Sequence, residues 1–124
     1  MNVEWIERGT KTPNHLRERA ERHLGKLDRY SHGDSGARVV VTHEGAAGSA
    51  LREVEVVLRN RLGVFAARDD SRDLADALRR VLDRVETQAR RAHDKLVDRG
   101  RGAAGAGEVT DAIAGSSTAD TDDG

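Results

Sequence analysis

Leu51-Arg52-Glu53-Val54-Glu55-Val56-Val57-Leu58-Arg59-Asn60-Arg61-Leu62-Gly63-Val64-Phe65-Ala66-Ala67 is the stretch from which the fold can be read. Its first half alternates: Val54, Val56 and Leu58 share one face, while Glu53, Glu55 and Arg59 fall mostly on the other. A period of two with one charged face describes a strand that covers a core on one side and meets water on the other. Asn60-Arg61 reads as a tight turn, so Leu62–Ala67 returns as a second strand beside the first. Upstream, Gly45–Ser49 is a loop of small residues. Before it, Ala37–Glu44 contains Val39-Val40-Val41, a β-branched run suited to a strand. These three neighbouring strands predict an antiparallel meander.

Helices flank the meander. Downstream, Asp69, Asp70, Ser71 and Asp73 offer caps and favourable charge for a helix N-terminus. Leu74, Leu78, Val81, Leu82, Val85, Ala89, Ala92 and Leu96 then recur as one apolar stripe at helical spacing. Upstream, Thr12-Pro13 suggests an N-cap followed by a proline in the first turn. Leu16, Ala20, Leu24 and Leu27 mark a helix of about 13–29. Ser31–Gly36 is turn-rich, and Val3 and Trp5 alternate with Asn2 and Glu4 as a short first strand. The predicted order is β-α-β-β-β-α. It implies an α+β, two-layer fold, with a four-stranded, mostly antiparallel sheet and both helices on one face.

Composition narrows the function. The chain has 124 residues, 35% of them charged and 36% hydrophobic, enough for one small core. One Trp, one Tyr and one Phe cannot stack on many bases. With no cysteine there is no disulfide framework, zinc ribbon or thiol nucleophile. No apolar run approaches a membrane span, and Met1-Asn2-Val3-Glu4-Trp5 has no secretion signal, so a cytoplasmic location is expected. Residues 1–99, the expected folded domain, carry 20 Lys/Arg against 17 Asp/Glu. Residues 100–124 carry one Arg against five acids behind the Gly/Ala-rich segment 100–107, and read as a disordered acidic tail.

On a helical wheel, His15, Arg19, Arg22, Lys26 and Arg29 share a sector of the first helix. Arg80, Arg84, Arg91 and Lys95 share one on the last. Both sectors are displaced from the apolar stripe in the same rotational sense, so parallel helices would join them into one basic surface fit for phosphate. Salt-bridged helix faces are also commonly only solvated, and Arg22 with Glu18, Arg80 with Asp76 and Asp83, and Arg91 with Asp94 have the spacing to pair.

Catalytic constellations are absent. Gly33-Asp34-Ser35-Gly36 looks like a serine-protease nucleophile motif, but too little chain precedes it to supply the other triad members, and a turn explains it. The five histidines show no H-x-x-x-H pair, and no glycine-rich loop follows a strand with a Lys-Ser/Thr end. No enzyme activity, metal or cofactor is expected.

Two stretches carry a family resemblance. The first is Leu16-Arg17-Glu18 followed by Lys26-Leu27-Asp28-Arg29-Tyr30. The second runs from Asp73 through Ala77-Leu78 and Asp83-Arg84-Val85 to Gln88-Ala89-Arg90-Arg91-Ala92-His93-Asp94-Lys95-Leu96. In this order they resemble the ribosome hibernation-promoting factor family, which includes the ribosome-associated inhibitor A type and was once labelled sigma-54 modulation protein. The chain departs from the family pattern at Ala75, Arg79 and His93. The resemblance implies a non-catalytic inhibitor that occupies the decoding channel of the small ribosomal subunit, contacts ribosomal RNA through basic helix faces and protects idle ribosomes under stress. Arg17, Lys26, Arg84, Arg91 and Lys95 match its basic positions, and all but Arg17 lie in the wheel sectors. The candidate RNA-binding set is therefore Arg17, Arg19, Arg22, Lys26, Arg29, Arg80, Arg84, Arg91 and Lys95. The resemblance also implies a short form without the long form's dimerisation domain. Two other readings stay open: a double-stranded RNA-binding module, and a protein-interaction module that modulates transcription.

Overall fold

The computed structural model describes residues 1–30 and 34–101. By its contacts the chain divides into two units, Met1–Arg91 and Ala92–Gly124. The elements are β1 (Asn2–Arg8), α1 (Asn14–Lys26), a 3-10 turn (Leu27–Tyr30), β2 (Gly36–His43), β3 (Arg52–Asn60), β4 (Gly63–Ser71) and α2 (Leu74–Arg101). The strands lie in the order β1-β2-β3-β4. β1 pairs with β2 in parallel, while β2–β3 and β3–β4 are antiparallel. The parallel pair follows from α1: a helix between two strands returns the chain to the starting end, whereas the short loops of the meander reverse it.

Register turns the alternation into a core. Val3, Ala37, Leu58 and Phe65 form one row across the sheet, and Trp5, Val39, Val56 and Ala67 the next. Leu16, Ala20, Leu24 and Leu27 of the α1 segment pack on this face together with Ala77, Leu78, Val81, Leu82, Val85 and Ala89 of α2. Both helices therefore cover the same face. Val39, Val54, Val56, Leu58, Val81 and Val85 are completely buried; each such side chain stabilises the fold by about 1.5–3 kcal/mol in transfer terms. The opposite face carries Glu4, Arg38, Glu55, Arg59 and Arg68 around Ile6, Val40 and Val57.

Three boundaries differ from expectation. Thr12 does not cap α1: its backbone N–H donates to Glu7 Oε2 at 2.6 Å. The helix starts instead at Asn14, with the Pro13 carbonyl accepting from Leu16 and Arg17. β4 runs on to Ser71, so Asp69 and Asp70 belong to the strand and only Asp73 caps α2, its Oδ1 accepting from the Asp76 N–H at 3.2 Å. At the other end α2 continues through Arg101, past the linker expected to begin at Gly100. The acidic tail from 102 onward, and the Ser31–Gly33 part of the expected turn, lie outside the described residues.

The second unit's described part is the helical run from Ala92 to Arg101. Within it Lys95 is exposed, as are Leu96 and Val97.

Candidate nucleic-acid interface

Three side chains of α2 reach the outer edge of β4. The Gln88 amide donates to the Ala66 carbonyl at 2.8 Å and accepts from its N–H at 3.0 Å. Arg84 donates to the Arg68 carbonyl at 3.1 Å, and Arg80 to that of Asp70 at 3.4 Å. Residues four apart on the helix thus satisfy backbone groups two apart on the strand, which closes an edge that would otherwise offer unpaired groups to another chain.

The same two arginines hold an acid. Arg80 Nε stands 2.8 Å from Asp69 Oδ2, with Arg84 at 3.2 Å from that oxygen, and Arg80 also bonds Asp76. The Arg80 hydrogen bond holds the Asp69 carboxyl below the ordinary carboxylate range against the opposing effect of burial. Asp69 in turn raises the Arg80 guanidinium.

The cations of α1 and of the 3-10 turn after it have a different environment. Arg19, Arg22, Lys26 and Arg29 line an open groove of about 380 Å3 together with His23 and Glu86. Among the described residues Arg19, Arg22 and Lys26 make no ion pair. Arg29 lies over the Tyr30 ring at 5.1 Å. Arg17 stands apart from this groove: its guanidinium lies 5.0 Å from the Trp5 ring centre and 3.5 Å from Glu7. Arg91 is exposed on α2, and Lys95 falls in the second unit.

The two basic sectors therefore do not merge. On α1 the displacement turns the cations toward α2; on α2 the same displacement turns Arg80 and Arg84 toward β4. The flank of α2 facing α1 alternates in sign instead, with Arg79 paired to Asp76 and Asp83, and Arg90 to Glu86. His23 Nε2 meets Glu86 Oε1 at 2.8 Å across the helices. His23, Asp83 and Glu86 bring ligand-type atoms within 4.8 Å of one another, a trio that spacing along either helix does not reveal. Arg19, Arg22, Lys26 and Arg29 line the same groove, a positive surrounding that favours an anion over a divalent cation.

The family model for sigma 54 modulation protein / S30EA ribosomal protein matches residues 4–97. The chain belongs to this family. Its fold is similar to the crystal structure of the Thermus thermophilus Protein Y N-terminal domain, with TM-score 0.63 and 30% identity over 73% of this chain and 98% of that one. A ribosomal subunit interface protein from Coxiella burnetii shares the fold at TM-score 0.58 and 17% identity, over 73% of this chain and 96% of that one. No curated protein sequence matches the chain. Among the described residues of this family member, no helix is long and apolar enough to cross a membrane.

Proposed function

We propose that the protein is a non-catalytic ribosome-binding factor of the cytoplasm. It occupies the decoding channel of the small subunit, is held there by contacts to ribosomal RNA, and keeps idle ribosomes inactive and protected under stress. Family membership supports the ribosome as partner. The observation that carries the RNA contact is the α1 groove, where Arg19, Arg22 and Lys26 stand without ion-pair partners among the described residues while Arg80 and Arg84 are engaged by Asp69. Unpaired, solvent-facing cations cost little to transfer to a phosphate, and each contact releases condensed counterions. Such contacts position a protein on RNA without reading its sequence. That suits a chain whose three aromatic residues include only Tyr30 beside the groove cations. Inhibition is steric: a folded body seated where messenger and transfer RNA pass needs no reacting group.

Co-sedimentation of the purified protein with small subunits across a salt series tests this reading. About six neutralised phosphates give a log–log slope of about −4 to −5. Arg22→Glu/Lys26→Glu should lose binding at low salt. A flat salt response, or full binding by the double variant, would remove the groove from the interface.

A further inference from the structure

We infer that Glu86 is a built-in negative charge on the wall of the phosphate groove, one that weakens the groove's hold on an RNA phosphate. The inference rests on the RNA-binding reading above and adds an opposing charge to it.

Glu86 is the one carboxylate among the groove's lining groups, which otherwise comprise Arg19, Arg22, His23, Lys26 and Arg29. It comes from the other helix, so it is no part of the cationic stripe; α2 delivers it into the groove. Its Oε1 lies 2.8 Å from His23 Nε2, and its Oε2 lies 3.9 Å from Arg90. Among the described residues no ion pair joins it to Arg19, Arg22 or Lys26, which stay available to a phosphate. Glu86 is also only partly buried, with 26% of its side chain exposed. The long side chain can rotate toward water without opening the core, because the buried α2 positions are its neighbours Val85 and Ala89. The carboxylate therefore lowers the positive potential that RNA meets in the groove. Asp83 lies close to the same pair but is engaged by Arg79 at 4.0 Å and does not line the groove.

The test compares wild type, Glu86→Gln and Glu55→Gln by binding to purified small ribosomal subunits between low and high salt. Gln keeps the size and hydrogen-bonding capacity of Glu86 and removes only its charge. Glu55 lies on the opposite face of the sheet and controls for net charge. Glu86→Gln should bind about three- to tenfold more tightly at low salt, a gain that shrinks as salt rises, as expected for one unfavourable charge beside the bound phosphate. Glu55→Gln should change affinity less than about twofold. Equal or weaker binding by Glu86→Gln, or an equal gain from Glu55→Gln, overturns the inference while the ribosome reading stands. If wild type and Glu86→Gln both fail to bind, the reading and the inference fall together.

Discussion

Arg80 of α2 grips Asp69 of β4 at 2.8 Å, tying the last helix to the last strand outside the apolar core. The Arg80 hydrogen bond is the main reason the Asp69 carboxyl titrates below its ordinary range. A carboxyl with a depressed folded pKa contributes stability that is fully present above its unfolded value, about 3.9, and is lost as pH falls through the folded pKa. Asp69→Asn should lower the thermal midpoint at pH 7 by a few degrees, with the difference from wild type closing as pH falls below about 4. An unchanged midpoint at pH 7 would show that solvent screens the pair completely.

Gln88 satisfies both backbone groups of Ala66. Gln88→Ala should speed amide hydrogen exchange at Ala66 while leaving the amides of buried Val54 and Val56 on β3 protected. Uniform acceleration across the sheet would mean that the substitution lowers global stability instead.

Arg17 and Lys26 are both candidate RNA-binding residues but stand in different surroundings. Lys26→Gln should reduce the salt slope of ribosome binding by about 1, as for the loss of one phosphate contact. Arg17→Gln should leave that slope within experimental error and instead alter the fluorescence of Trp5, whose ring it covers. Loss of slope from Arg17→Gln would place RNA at the β1 side of the molecule.

Leu24 is completely buried where α1 meets the sheet. Leu24→Ala should cost about 2–5 kcal/mol in urea unfolding, from lost transfer energy and the cavity left behind. A smaller loss would show that α1 collapses into the space.

The strand faces and the helix faces were legible because they rest on local periodicity, whereas the parallel pairing of β1 with β2 was not. Val54, Val56 and Leu58 announce a one-sided strand without knowledge of their neighbours, and Leu16, Ala20, Leu24 and Leu27 announce a helix in the same way. The end of β4 was not legible. Arg68-Asp69-Asp70-Ser71 is a polar run that resembles a helix start, and it becomes strand because Arg80 and Arg84 supply partners for its charges and carbonyls. Thr12 likewise looks like a cap until Glu7, on the preceding strand, takes its N–H. The candidate site shows the same division. A wheel finds the α1 cations, but it cannot show that Arg80 and Arg84 are held by an acid on another element. Nor can it bring Glu86 to His23, because that contact exists only once two helices share one face of the sheet.

The helix that closes the β4 edge is made after the strand it protects. During synthesis, β4 leaves the ribosome before Arg80, Arg84 and Gln88 do, and at about 5–20 residues per second it waits on the order of a second for them. Through that interval the nascent sheet exposes an open row of amides and carbonyls together with the apolar face that α2 will bury. Neighbouring nascent chains on one messenger are the species best placed to pair with it. Arrival of α2 ends both exposures in one docking event, so the helix that follows β4 both completes the core and stops the sheet from growing past β4.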